Sequence, residues 1–413
     1  MVTYLDHAAT APLRPEARAA VLAQLDVPAG NSTAGHALAR ASRRAVEEAR
    51  DVVATCLGCE PGEVVFTSGG TEADDLAVSG TVGVAGGEPV CSAIEHHAVL
   101  HPVLALGGRT VPVTSAGVVD LDALVEVLRT AVRPVALVSV MLVNNEVGTV
   151  QPLAEVAEVV AEHAPGAVVH TDAVQAVPWL DAAATGPAQL VSVSAHKLGG
   201  PQGVGALVVR DGTPLAPRLL GGGQERERRS GTHNVAGIAG FAAALAATVE
   251  ARATTAVRVG RLRDRLADRL LAAVPGAAET GVRAGKVPGS CHLLFEGVES
   301  EALLVLLDQQ GVCATAGSSC SSGALEPSHV LAAMGVGRDT AKGALRLSLG
   351  STTTEADVDH VLAVLPPAVA RLRSRDPLVP RLVPPGRQHP PVSPSTPREH
   401  SGAGAGEVAA HST

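Results

Sequence analysis

Short valine-rich runs alternate with Ala/Leu/Glu-rich segments between about residues 63 and 210 of this 413-residue chain. The runs lie at 63–67, 89–92, 110–114, 135–143, 167–170, 190–193 and 204–210, and helical patterns at 72–84, 120–130 and 153–163 separate several of them. This alternation predicts an α/β fold with a mostly parallel, seven-stranded sheet covered on both faces, because each parallel connection has to cross over a face of the sheet. Hydrophobic residues make up 46% of the chain and aromatics 1%, so Ala, Val and Leu must fill the core. A long Arg/Ala/Leu helix at 244–274 leads into a smaller α+β region at 290–372. The expected division is an N-terminal segment (1–14), a large domain (15–250), a small domain (251–375) and a tail (376–413). The tail holds eight of the 28 prolines followed by Ser-Gly-Ala-Gly-Ala-Gly, a composition that cannot bury a core and predicts disorder.

The formal net charge of −9 argues against a direct nucleic-acid surface. The N-terminus has neither a basic start nor a long apolar run, and the apolar stretch at 135–143 is too short to cross a membrane. The expectation is a soluble, cytoplasmic protein. Six cysteines without a secretion signal are expected to be free thiols. Cys56 and Cys59 have CxxC spacing, but no second pair completes a zinc site, and no metal is expected.

Ligands of such sheets bind outside the carboxyl ends of the strands, and that is where the chemistry-bearing residues fall. Lys197 is one of only three lysines, in Ser194-Ala195-His196-Lys197-Leu198-Gly199-Gly200 directly after a strand run. A lysine held there and partly desolvated is what a Schiff base with pyridoxal 5'-phosphate (PLP) needs, with Ser194 and His196 framing the cofactor. Ser68-Gly69-Gly70-Thr71-Glu72 is a glycine turn opening a helix, and its N–H groups with the Thr71 hydroxyl make an anion site for the phosphate, or an ordinary capped turn. Asp172, just past another strand, is placed to pair with a pyridinium nitrogen or to cap a helix; Gln175, three residues on, is placed to donate to the ring oxygen. His96, in Ile94-Glu95-His96-His97, can stack on the ring and move protons, or serve as a structural histidine.

The order of these motifs (Gly-Thr turn, His, Asp-x-x-Gln, Ser-x-His-Lys) resembles the fold-type I PLP-dependent transferases, and closely the housekeeping class of cysteine desulfurases. The resemblance runs from Tyr4-Leu5-Asp6-His7-Ala8-Ala9-Thr10 to about Leu372. Within it, Gly317-Ser318-Ser319-Cys320-Ser321-Ser322-Gly323-Ala324-Leu325-Glu326-Pro327-Ser328 looks like the long catalytic loop of that class, with Cys320 as the nucleophile. By the same resemblance, the N-terminal segment 1–14 joins the small domain, Arg346 grips the substrate carboxylate, Asn145 assists it, and Thr232 touches the phosphate bound by a second subunit, which implies a homodimer. Ser32, Asp75, Ser319 and Ser351 depart from the commoner pattern without removing a group the chemistry needs. The implied reaction converts L-cysteine to L-alanine and leaves a persulfide on Cys320, for transfer to an acceptor protein such as an iron–sulfur scaffold or a tRNA thiolase. The alternatives are another fold-type I PLP enzyme, such as an aminotransferase or selenocysteine lyase, or a non-catalytic scaffold.

Lys197 alone is framed for the cofactor, so Lys197→Ala should lose the borohydride-trappable PLP adduct while Lys286→Ala and Lys342→Ala keep it. Peptide mapping of the reduced protein checks this.

Overall fold

The computed structural model describes residues 2–28, 30–317 and 328–374. Twelve strands are found among them, in chain order β1 (Thr3–Tyr4), β2 (Val64–Thr67), β3 (Glu88–Ser92), β4 (Arg109–Val111), β5 (Val135–Ser139), β6 (Val168–Asp172), β7 (Leu190–Ser194), β8 (Gly205–Val209), β9 (Ala277–Glu279), β10 (Ser290–Phe295), β11 (Val312–Cys313) and β12 (Ala344–Ser348). The helices are α1 (Pro15–Leu25), α2 (Ala37–Leu57), α3 (Gly70–Ala85), α4 (His97–Ala105), α5 (Leu121–Arg129), α6 (Leu153–His163), α7 (Val235–Ala273), α8 (Ser300–Gln309), α9 (His329–Ala333), α10 (Arg338–Ala341) and α11 (Glu355–Arg373).

Seven strands form the main sheet in the order β2-β8-β7-β6-β5-β3-β4, and only β8 runs against its neighbours. Side chains alternate across it with period two. Val64, Phe66, Val138, Val191 and Val193 point to one apolar layer, shared with α2, α5, α6 and the first half of α7. Val65, Cys91, Leu137, Leu190 and Leu207 point to the other, shared with α3 and α4. Burial on both faces explains why these strands read as continuous apolar runs. The run at 135–143 is longer than its strand. Beyond Ser139 the ladder becomes irregular, although Val140 N and Leu142 N still donate to His170 O and Asp172 O at 3.1 and 3.0 Å.

A second core collects Leu5, the later part of α7, β10, β12, α8 and α11. The N-terminus joins it because β1 pairs in parallel with β11. Trp179 packs against both cores. Helix α7, at 39 residues, starts earlier than its arginine-rich pattern suggested. It is the one described helix long and apolar enough to span a membrane. Its apolar side, with Ile238, Phe241 and Leu245, is buried in the first core, and it packs against α1 and α2.

One buried ion pair ties α2 to the loop before α7. Arg50 donates to both carboxylate oxygens of Glu225 at 2.9 and 2.7 Å, and lies 4.7 Å from the Phe66 ring centre. Glu225 also accepts from Phe66 N (2.8 Å) and pairs with His233 Nε2 (2.6 Å). Glu225, Arg226 and Glu227 have φ of 49°, 56° and 64°. Each left-handed residue without glycine costs roughly 1 kcal/mol, so the run needs this anchor. Burial alone would raise the Glu225 pKa; hydrogen bonds from His233 and Arg50 overcome it and hold the carboxyl at about 2.

A depressed carboxyl stabilises the fold above its ordinary pKa near 4.5 and loses that contribution as pH falls through about 2. Glu225→Gln should therefore destabilise the protein by about 3 kcal/mol at pH 7, where removing the buried partner leaves Arg50 with the exposed Glu47, 3.2 Å from Nε, as its counter-charge. The gap to wild type should shrink below pH 4.5; denaturant titrations from pH 7 to 3 measure it.

Candidate active site

The carboxyl ends of β2, β3, β5, β6 and β7 surround one cavity of about 290 Å³, lined by Gly70, Thr71, His96, Asn145, Asp172, Gln175, Ser194, His196, Lys197 and Arg346 among others. Eleven of the twelve residues predicted from sequence are described, and ten of these line it. Thr232 is exposed and does not line it. Cys320 lies outside the described residues, as does the tail from 375. Gly317 and His329, which flank the Cys320 segment, both line the cavity.

Each side chain arrives there for a local reason. Strand β2 ends at Thr67, and Gly69 turns the chain with φ 153°, a conformation that favours glycine. Helix α3 then starts at Gly70 without a side-chain cap, which leaves its first N–H groups for an anion. A Cβ on Gly70 would stand 3.0 Å from Val174 Cγ2, so a side chain there would crowd the cradle. Glu72 is turned away: it accepts from Ser68 N (2.8 Å) and Arg229 Nε (2.7 Å).

Asp172 ends β6 and is buried, with Oδ1 accepting from Val174 N at 2.8 Å. Burial pushes its pKa up to about 6, against the Val174 hydrogen bond and the Lys197 charge. A carboxylate so poorly solvated binds an adjacent cation strongly. Behind it, His170 shares hydrogen bonds with Ser139 Oγ (2.8 Å) and Ser192 Oγ (3.0 Å), and burial keeps its ring neutral with a pKa of about 3.

Lys197 sits in the 3-10 turn after β7, between Ala195 and Leu198, and Nζ donates to Ala8 O (2.6 Å) and Ala9 O (2.8 Å). Gln175 Nε2 donates to the same Ala8 carbonyl at 2.8 Å, so part of its donor capacity goes to the N-terminal segment. His196 Nδ1 and Thr10 Oγ1 lie 3.2 Å apart. His96 caps α4, its Nδ1 accepting from Ala98 N at 3.1 Å. Burial first, then the Lys197 charge and the neighbouring imidazoles, lower its pKa to about 4, so the ring is neutral near pH 7.

Arg346 is 2% exposed in the middle of β12. Its Nη2 meets Asp6 Oδ1 at 3.0 Å, Nη1 donates to Asn145 O at 2.8 Å, and Nε is buried without a hydrogen-bond partner. Asn145 thus meets the arginine through its backbone carbonyl.

Sequence reasoning missed Asp74, Asp6, Glu146 and His329. Asp74 lines the cavity from α3, is 1% exposed, and its Oδ1 has no hydrogen-bond partner. Burial and then the Asp172 carboxylate raise its pKa well above the ordinary range. The available signal was a charge on the helical face of Ala77 and Val78, three and four residues on, which are buried. Glu146 accepts from Ser328 Oγ at 2.5 Å, and His329 Nε2 lies 2.9 Å from Glu95 O. Both contacts are long-range, with no local signature.

The set fits PLP: amide donors at a glycine-opened helix start, a buried carboxylate, a neutral imidazole and a lysine share one cavity. Among the described residues no group of His, Cys, Asp and Glu could hold a metal ion.

The aminotransferase class-V family matches residues 3–361. The IscS-like cysteine desulfurase of Mycobacterium tuberculosis is 45% identical over 387 residues, covering 90% of this chain and 97% of that protein. The cysteine desulfurase IscS of Methanosarcina thermophila is 40% identical over 390 residues, covering 92% and 94%. Among solved structures, a NifS-like protein superposes with a TM-score of 0.82 at 32% identity, covering 90% of this chain and 100% of that one. The chain therefore belongs to the class-V aminotransferase family and, within it, to the cysteine desulfurases.

Proposed function

We propose that this cysteine desulfurase holds PLP on Lys197, takes the sulfur of L-cysteine onto Cys320 as a persulfide, and passes it to an acceptor protein. The observation that carries the reading is the convergence of Lys197, Asp172, His96 and the α3 start on one cavity, beside the two residues that flank the Cys320 segment. The cysteine desulfurase relatives favour it over a plain aminotransferase.

Bound here, PLP supplies an electron sink for the substrate Cα. The N–H groups of Gly70 and Thr71, with the Thr71 hydroxyl, hold its phosphate. Asp172 supplies the negative charge for the pyridinium nitrogen, and burial makes that pairing strong. His96, which lines the same cavity and is neutral near pH 7, would accept the proton of the substrate thiol. Lys197 serves as base at Cα, with the Ala8 and Ala9 carbonyls defining where its amine rests. Arg346, whose side chain lines the cavity, orients the substrate carboxylate through its guanidinium. The Cys320 thiolate attacks the substrate sulfur: an S–S bond forms, the C–S bond breaks, and its electron pair remains on carbon to be protonated on the way to alanine.

The working unit is a homodimer in which Thr232, exposed on the single chain, reaches the phosphate site of the second subunit. Its loop is set by the buried pair of Arg50 and Glu225. The compartment is the cytoplasm, in keeping with the free thiols at Cys56, Cys59, Cys91, Cys291 and Cys313. The acceptor is an iron–sulfur scaffold or a tRNA thiolase.

Asp172→Asn should retain PLP, because the phosphate site is separate, while turnover falls by roughly 100-fold or more. Cofactor absorbance and alanine release, measured on one preparation, decide it, and near-normal turnover would remove Asp172 from the mechanism. Cys320→Ser should bind PLP and cysteine yet release almost no sulfide or alanine, because a hydroxyl has no accessible anion near neutrality. Mass spectrometry of wild type after brief exposure to cysteine should place one extra sulfur on the Cys320 peptide; sulfur on another cysteine would contradict the assignment.

A further inference from the structure

A second cavity meets the cofactor cavity at Ala8, Asn145, Gln175, Lys197 and Arg346. It is also lined by Trp179, Arg14, Thr248, Arg252, Thr255 and Ser351, none of which lines the cofactor cavity. Its lining includes three arginines and Lys197, and no aspartate or glutamate. The residues that flank the Cys320 segment, Gly317 and His329, line the cofactor cavity and not this one.

The two outer arginines are poorly compensated. The Arg252 side chain is 10% exposed, and its Nε is buried without a hydrogen-bond partner. Its ion pair among the described residues is a long one, 3.6 Å from Nη1 to Asp181 Oδ2, on a side chain that is 81% exposed. Arg14 donates from Nε to Leu198 O at 3.0 Å and has no ion pair among the described residues. Burial lowers the pKa of both guanidinium groups, with Glu16 opposing at Arg14 and Asp181 at Arg252. Buried cations without a close counter-charge favour an incoming anion, and a guanidinium matches a carboxylate in shape as well as charge.

We propose that this cavity is a second binding site for the carboxylate of the free amino acid, at Arg14 and Arg252, adjoining the cavity of Lys197. Both the substrate and the alanine product carry that carboxylate. The two sites are ordered: the outer arginines hold the amino acid by its carboxylate alone, and Arg346 takes the same group at the reacting position. The inference rests on the desulfurase reading only for the identity of the amino acid.

Trp179 lines the cavity and is the only tryptophan of the chain, so its fluorescence reports occupancy directly. L-Alanine titrated into the PLP-loaded protein should change Trp179 emission saturably. Alaninamide, which lacks the carboxylate, should not. Arg252→Gln should weaken the alanine response about tenfold, the effect of losing one charged hydrogen bond, and Arg252→Lys should restore part of it. The response should persist in Arg346→Ala, which separates the outer site from the reacting one. In steady state, Arg252→Gln should raise the KM for cysteine about tenfold with kcat within about twofold. Arg14→Gln serves as the second variant should Arg252→Gln fold poorly. An equal response to alaninamide, a response lost in Arg346→Ala but intact in Arg252→Gln, or an unchanged KM would overturn the proposal. Failure of the desulfurase reading would show separately, as absence of alanine formation by the wild type.

Discussion

Lys197 donates to the carbonyls of Ala8 and Ala9, and that contact fastens an N-terminal segment across the sheet's carboxyl edge. Gln175 donates to the same Ala8 carbonyl, and Asp6, two residues earlier, takes Arg346. Leu5, adjacent again, is fully buried in the second core. A short stretch of chain thus joins Lys197, in the turn after a strand of the main sheet, to Arg346, in a strand of the three-stranded sheet. The spacing of the site depends on this stretch. Asp6 holds Nη2 of Arg346 at 3.0 Å while the same arginine lines the cavity.

Burial sets the electrostatics around that frame. Asp172, Asp74 and Glu95 are all buried near one another, and desolvation raises all three. Only Asp172 is near enough to Lys197 for that charge to offset part of its rise. Asp172 is therefore the carboxyl readiest to ionise beside an arriving cation. On the imidazole side, His96 is kept neutral by burial and by the positive charge nearby. A proton acceptor and a cation partner result from the same physical cause acting on groups of opposite charge type. The second cavity inverts the pattern: Arg14 and Arg252 are weakly compensated and no acid lines it.

Strain is concentrated where the chain leaves the large core. Three consecutive non-glycine residues in left-handed conformation, Glu225 to Glu227, persist because Glu225 is locked to Arg50, Phe66 N and His233. The loop thereby presents Thr232 outward in a defined geometry. Arg50 reaches Glu225 from 175 positions earlier in the chain.

Sequence alone determined the seven-stranded sheet, since strands buried on both faces must be apolar at every position and their crossovers must be helical. It also located Lys197, Asp172, His96 and the Gly70-Thr71 turn, because each lies at the end of its strand or a few residues beyond it, and a strand's carboxyl end carries its next few residues to the sheet edge. Segment ends were less legible: the run at 135–143 stays apolar after its regular ladder stops, since burial persists beyond pairing. Tertiary structure decided what depends on distant partners. Asp74 acquires its meaning from Asp172, nearly a hundred residues on; Arg346 from Asp6; and Lys197 from Ala8 and Ala9. Periodicity records which face a residue takes, a local property of the backbone. Which unlike charges meet, and which remain uncompensated, is a property of chain closure, and no local pattern encodes it.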